Sequence, residues 1–243
     1  MPHRHATGRA FLRADYWATG SIDADQARGV EEPPRQMPLD PAVPLLSLPP
    51  PQFPALDIGA ALGRRRSRRR LRPDPLSLTQ VATLCWASQG VSGSLPVLRC
   101  APSAGARHPF ETHLMVHAVD GLTPGHYRYR PEHHQLAQIT TKPIDPKAIA
   151  EACCRQNWTR RAAMVVVWTA VPYRSEWRYA DAAHKAIAID IGHVAQNLYL
   201  ACEACDLATC TIAAFDPDAL DDLLEIDGQD EFSIYLAPIG HRA

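Results

Sequence analysis

The chain has 243 residues, 46% of them hydrophobic, enough to fill the core of one large domain or two small ones. Twenty-five Lys and Arg balance 26 Asp and Glu for a formal charge of −1, so no overall field recruits nucleic acid or an anionic membrane. The absence of a long apolar run or an apolar leader, and seven cysteines without framework spacing, predict a cytoplasmic protein with reduced thiols.

From Pro33 to Pro54 nine prolines sit among Leu and Val. Proline fixes φ and has no N–H, so this stretch is neither helix nor central strand. Because Leu45, Leu46, Leu48 and Phe53 are apolar, residues 1–55 are expected to form an extended arm lying along a surface, with its first thirty residues open to disorder. Ser77 and Gln80 make a capping box that opens a helix with Leu78, Val81, Leu84 and Cys85 on one face, ending near Gly90. Residues 110–119 read as a strand, Asp120-Gly121 as a turn, and residues 125–129 and 135–139 as further strands of an antiparallel stretch.

Asp145 caps a helix reaching about Gln156, and residues 162–171 are apolar enough for a central strand buried on both faces. The helix expected over 183–205 is apolar nearly all round, so it must be enclosed. A strand-like stretch at 209–213, a helix over 216–224 opened by Pro217, and a strand over 232–239 complete an α+β order.

Three segments carry chemistry, and a fourth resembles a motif without doing so. Arg64-Arg65-Arg66-Ser67-Arg68-Arg69-Arg70 lines up guanidinium forks suited to phosphate oxygens, although such a block taken alone is equally a solvated or nucleic-acid-binding stretch. Pro102-Ser103-Ala104-Gly105 sets small residues before a strand, where backbone N–H groups can approach a flat ring. Asp190, His193, Gln196 and Asn197 are polar residues within the apolar helix and need partners, either structural or in a site. Cys202 and Cys205 form a lone C-x-x-C inside that helix; without a second pair they read as small buried side chains, and no metal is expected.

In this order and spacing the segments resemble the nitroreductase superfamily, and within it the SagB-type branch of azoline dehydrogenases. The resemblance covers residues 62–240: R-R-S-x-R at 65–69, L-S-L at 76–78, W-A-S-Q-G at 86–90, A-P-S-A-G at 101–105, G-x-Y-x-Y-x-P at 125–131, D-x-G-H-x-A-Q-N at 190–197, and Ala214-Phe215-Asp216. It implies a nitroreductase-like α+β fold, with a central mixed or antiparallel sheet flanked by helices. It further implies an intertwined homodimer in which residues 56–243 form the FMN-binding domain, with each of two FMN sites built from both chains. By motif match Arg65, Arg66, Ser67 and Arg69 hold the flavin phosphate, ribityl chain and pyrimidine edge. Pro102, Ser103, Ala104 and Gly105 line the isoalloxazine face, and Lys185 keeps a cation at the start of the long helix. A cation near N1 or O2 stabilises the reduced flavin.

Three departures from the family pattern bear on chemistry. Azoline dehydrogenases carry Lys-Tyr before the long helix to take the substrate proton, whereas this chain has Arg178-Tyr179. A guanidinium does not give up its proton at accessible pH, so Tyr179 is the expected catalytic acceptor, with Arg178 beside it as charge support. An R-G-Y-R-Y segment is replaced by Ala182-Ala183-His184-Lys185-Ala186, and the Leu-Tyr after the loop by Arg107-His108, which predicts a polar or anionic substrate; Arg242 is the one late cation. The expected function is FMN-dependent hydride transfer through flavin N5, dehydrogenating a peptide-derived or other biosynthetic substrate with O₂ as reoxidant. NAD(P)H-driven nitro or quinone reduction is the alternative, and a flavin-free binding subunit, motivated by the lost lysine, is the third.

Overall fold

The computed structural model of the chain describes residues 5–18, 22–95 and 97–243. In chain order its elements are α1 (Ala6–Arg13), β1 (Leu45–Ser47), α2 (Ile58–Arg64), β2 (Leu71–Arg72), α3 (Leu78–Gln89), β3 (Phe110–Val116), β4 (Gly125–Arg130), β5 (Gln135–Thr140), α4 (Pro146–Ala152), β6 (Met164–Ala170), α5 (Tyr173–Tyr179), α6 (Ala183–Ala204), β7 (Leu207–Thr209), α7 (Pro217–Leu224) and β8 (Phe232–Arg242). The eight strands form one sheet in the order β1-β5-β4-β3-β6-β8-β2, with β7 also on β8, and the strand pairs are antiparallel.

The core follows from period-2 alternation in the central strands. In β6, Met164, Val166 and Trp168 face one side, where they meet Val81 and Leu84 of α3 and Ile187, Ile191 and Leu198 of α6. Val165 and Val167 face the other, against Ile149 of α4 and Leu220 and Leu224 of α7. Every residue of β3 and β6 is buried, as a strand covered on both faces requires. Helix α3 opens as its sequence predicts: Ser77 Oγ accepts from the Gln80 N–H, and Gln80 Oε1 accepts from the Ser77 N–H.

Three expectations change, and two short helices are added to the expected elements. Helix α4 stops at Ala152 rather than near Gln156, and Cys154 and Arg155 with φ of 53° and 63° turn the chain away. The stretch at 209–213 is not a strand; β7 ends at Thr209, and beyond it Ile212 makes an isolated bridge with Leu236. Helices α2 and α5 are seven residues each, too short for a periodic signal to emerge from sequence. Helix α6 is not enclosed within one chain: Ile187, Ile191, Val194 and Leu198 are buried, but Ala188, Ile189, Gly192, His193 and Gln196 form an open stripe on its far side.

The proline-rich arm packs along its own chain; of its residues, 1–4 and 19–21 lie outside the described ones. Strand β1 pairs with β5 at the sheet edge, Leu46 packs on the core, and Phe53 meets the Trp86 ring edge-on at 5.8 Å. Arginines of the core take the carbonyls of a segment poor in donors. Arg128 Nη2 donates to Met37 O and Pro38 O, and Arg174 Nε donates to Pro34 O.

Candidate functional site

The loop before β3 is held by one buried carboxylate. Asp190 Oδ2 on α6 accepts from Ser103 Oγ at 2.6 Å and from the Ala104 N–H at 2.9 Å, while Ser103 Oγ in turn accepts from the His108 N–H at 3.0 Å. Burial raises the Asp190 carboxyl, and the bonds from Ser103 and Ala104 oppose that rise. Asp190 thus has the partners that its position in an apolar helix demands. Around it Gly105, Ala106 and His108 take left-handed φ values of 56°, 53° and 47°, a concentration of strain that only a strongly anchored loop keeps.

Gly105 is fixed by close approach as well as by φ. A Cβ there would overlap the Tyr179 hydroxyl and sit 3.1 Å from Arg178 Cδ and Nε, so the loop and the end of α5 are in contact. The Arg178 guanidinium lies 5.6 Å from the Tyr179 ring centroid, and Trp17 meets the same ring edge-on at 5.4 Å. Ala180, with φ 44° and ψ −134°, reverses the chain immediately afterwards and holds Tyr179 over the loop. Gly105→Ala is expected to destabilise the protein by about 1–3 kcal/mol through left-handed strain and displacement of Tyr179, read as a lower thermal midpoint. An unchanged midpoint would show that the contact is not needed.

Arg107 and His108 do not present polar groups on the open side of the loop, which corrects the inference of an anionic substrate drawn from them. Arg107 is 5% exposed, stacks 4.8 Å from the Trp177 centroid, donates from Nε to Arg174 O and pairs with Glu32 at 2.9 Å. The His108 ring is tied to Val97 O at 2.9 Å, and burial pushes its pKa down to about 4. The Arg107 side chain braces α5, and the His108 side chain ties the loop to Val97.

The arginine segment lies elsewhere. The Arg65 guanidinium is 5.2 Å from the Tyr199 centroid, Ser67 Oγ is 3.1 Å from the Tyr199 hydroxyl, and Arg68 Nη1 is 3.1 Å from Glu203 Oε2. Arg242 Nη2 reaches that Glu203 oxygen at 3.0 Å, so the late cation joins this cluster. Arg66 donates to backbone carbonyls of Gly63 and Arg65, while Arg64, Arg69 and Arg70 are exposed and without an ion-pair partner among the described residues. Tyr199 and Glu203 were not singled out from sequence; their (i, i+4) spacing on α6 is the signal that marks them. Asn197 Nδ2 donates to Ala87 O, whereas His193 and Gln196 are exposed. Lys185, at the opposite end of α6, is 3.4 Å from Arg13 O.

Asp190 and Tyr199 are nine residues apart, about 13–14 Å along the helix, and Glu203 is about 20 Å from Asp190. One chain therefore brings together Ser103, Ala104, Gly105, Arg178 and Tyr179 toward the start of α6, and Arg65, Ser67 and Arg68 toward its end. Pro102 is exposed beside the first group. Beside the last turns of α6, Phe53, Ile58, Trp86, Cys100 and Leu200 line an apolar groove of about 270 Å³. The chemistry of the donors fits a phosphorylated flat ring: unpaired guanidinium groups at one end, and at the other a ledge whose close packing admits no side chain at Gly105.

Among the described residues no helix is long and apolar enough to cross a membrane. The nitroreductase family pattern matches residues 62–241. A Methanocaldococcus jannaschii protein named provisionally as a nitroreductase is 29% identical over 192 residues, covering 79% of this chain and 94% of its own length. The trifolitoxin-processing protein TfxB of Rhizobium leguminosarum bv. trifolii is 30% identical over 107 residues, 42% of this chain and 29% of its own length. A solved structure from Ralstonia eutropha, also named provisionally as a nitroreductase, superposes with a TM-score of 0.72 at 25% identity, covering 84% of this chain and 92% of that one. A chain of the Escherichia coli microcin synthetase McbBCD complex, solved with truncated pro-MccB17 bound, shares the fold at a TM-score of 0.63 and 14% identity over 98% of this chain and 96% of that one. With this sequence pattern carried on the same arrangement of antiparallel sheet and helices, the chain belongs to the nitroreductase family, whose general activity is flavin-type oxidoreduction.

Proposed function

We propose that the protein is an FMN-dependent homodimeric dehydrogenase of the SagB type, acting on a peptide-derived or other biosynthetic substrate. The observation that carries this reading is the division of the site along α6, with the open stripe of Ala188, Ile189, Gly192, His193 and Gln196 between its two halves. A two-fold copy packing α6 antiparallel on its own stripe sets the Arg65 end of one chain against the Gly105 end of the other. Gly192 supports the same arrangement. An exposed mid-helix glycine costs about 0.5–1 kcal/mol relative to alanine, and within one chain nothing lies within 4 Å of where its Cβ would stand, so close approach of a second helix is what explains it.

In this reading residues 56–243 form the FMN-binding domain and residues 1–55 an arm. Arg65, Arg66, Ser67 and Arg69 take the phosphate and ribityl chain, since bidentate guanidinium forks match phosphate oxygens. Pro102, Ser103, Ala104 and Gly105 support the ring face, and Lys185 supplies a further cation. When bound, FMN supplies the two-electron step, exchanging hydride at N5. Tyr179 holds and moves the substrate proton at its hydroxyl, because Arg178 cannot release one. Arg178 orients the substrate by charge, and Trp17 covers the Tyr179 ring from the arm.

The relatives named provisionally as nitroreductases favour a second reading, NAD(P)H-driven reduction of nitro compounds or quinones, over O₂-linked dehydrogenation. Rapid turnover of NADPH with a nitroaromatic would select it. For the flavin site itself, the purified protein should show an absorbance band at about 450 nm and a dimeric mass by light scattering. Replacing Arg65 and Arg69 by Ala should remove the band while leaving the far-UV circular dichroism unchanged. A flavin-free wild-type protein that does not take up added FMN, or full FMN occupancy in that variant, would falsify the assignment.

A further inference from the structure

A line of hydroxyl groups joins the sheet to the arginine segment. It begins at Tyr235 on β8, half-buried with its ring 6.2 Å from that of Trp168. The Tyr235 hydroxyl is 2.6 Å from Thr211 Oγ1, Thr211 Oγ1 is 3.2 Å from the Tyr199 hydroxyl, and that hydroxyl is 3.1 Å from Ser67 Oγ. The Tyr199 oxygen also accepts from the Thr211 N–H at 2.9 Å, and its ring lies 5.2 Å from the Arg65 guanidinium. A single side chain of α6 thus touches both the first cation and the hydroxyl of the R-R-S-x-R stretch.

Each hydroxyl has one hydrogen to give, so the line has a direction. A phenol donates better and accepts less well than an aliphatic hydroxyl, which sets Tyr235 donating to Thr211 and Tyr199 donating to Ser67. Thr211 then donates to Tyr199, and every link is made. The reverse direction gives the Tyr235 hydrogen no acceptor among the described residues. With Ser67 Oγ accepting, its own hydrogen is left for a further acceptor, and Ser67 is exposed, as are Arg66 and Arg69 on either side of it. Hydrogen bonds in a chain polarise one another, so three hydroxyls behind Ser67 make it a stronger donor. An acceptor that meets this hydroxyl among guanidinium groups is an anion with several oxygens.

We infer that Tyr199, Thr211 and Tyr235 are positioning residues for the flavin phosphate, acting through Ser67. The inference rests on the flavin reading above and adds three residues outside the motif to it. Tyr199 holds Ser67 and Arg65 in place from α6, Thr211 fixes the Tyr199 hydroxyl with both its N–H and its side chain, and Tyr235 anchors the line on β8. The packed sheet and helix thereby set the geometry of a segment that is itself at the surface.

The test is titration of the full chain, freed of any bound flavin, with FMN and with riboflavin, which has the same ring and ribityl chain but no phosphate; binding is read by quenching of flavin fluorescence. The unsubstituted protein is expected to bind FMN at least about tenfold more tightly than riboflavin. Tyr199→Phe keeps the ring beside Arg65 and removes only the hydroxyl, so it should weaken FMN by about tenfold and riboflavin by less than about twofold. Thr211→Val keeps the backbone N–H and should weaken FMN by about threefold, again sparing riboflavin. A role in stability alone would lower the thermal midpoint and leave the ratio of the two affinities where it was. An unchanged ratio in both variants overturns the inference. Equal binding of FMN and riboflavin by the unsubstituted protein overturns it too but leaves the flavin reading standing, whereas binding of neither overturns both.

Discussion

Arg174→Met is expected to lower the free energy of unfolding by about 3–5 kcal/mol and the thermal midpoint by roughly 10 °C. Glu111, 3% exposed at its side chain, would then remain in the interior with its guanidinium partner gone, and removing one member of a buried pair costs far more than the pair itself contributes. The loss spreads because both members bind the arm. Glu111 Oε1 also accepts from the Met37 N–H at 2.7 Å, and Arg174 Nε from its side donates to Pro34 O. Faster proteolysis between Val30 and Pro38 should therefore accompany the lower midpoint. Adding Glu111→Gln to Arg174→Met should recover much of the loss, since no buried charge remains. A single substitution costing under about 1 kcal/mol would show that the pair is hydrated in solution and the arm is held by other contacts.

Acid should unfold the protein earlier than a chain of neutral charge balance suggests, because two histidines, His108 and His126, are buried and two more, His117 and His134, are half-buried. Burial lowers the pKa of His108, His117, His126 and His134 from an ordinary value of 6.5, to about 4 for His108. His126 is held down further by His113 and Arg128. The Glu231 carboxylate accepts from His113 Nε2, and His113 Nδ1 lies 2.8 Å from His126 Nε2. A group whose folded pKa is depressed takes up its proton more readily when unfolded, so its contribution is complete above pH 6.5 and is lost as the pH falls toward the folded value. For His108 alone that amounts to about 3 kcal/mol by pH 4. Urea unfolding should show stability nearly level between pH 7.5 and about 6.5 and falling from there to pH 5. His108→Gln, whose amide can still donate to Val97 O, should make that fall shallower by about one proton. An unchanged slope in the variant would mean that His108 is solvated and not part of the acid response.

Much of the fold was legible because its signals are local. The Ser77 and Gln80 box opens α3, Pro217 opens α7 behind the Asp216 cap, and the run through Val165, Val166 and Val167 becomes the central strand, each through bonds or alternation within a few residues. The chemistry of the candidate site was legible in kind: Asp190 needed partners within an apolar helix, and Gly105 marked a place where backbone must come close. What sequence could not supply was the other party to each contact. Ser103 and Asp190 are 87 residues apart, Met37 and Glu111 are 74 apart, and charged groups pair according to which are buried together. Arg107 and His108 show the consequence: adjacent to the loop in sequence, they turn inward to Glu32, Trp177 and Val97 and leave its open side.

The sequence by itself determined that a strand buried on both faces would run through residues 162–171, that guanidinium groups would gather at 64–70, and that a small-residue loop would precede β3, since composition and spacing suffice for each. Only the tertiary structure decided that the guanidinium cluster and the loop stand at opposite halves of α6 and that the proline arm is clamped to its own chain by Arg128 and Arg174. Both outcomes follow from where long-range burial leaves a charge or a carbonyl in need of a partner, a quantity that no local pattern encodes.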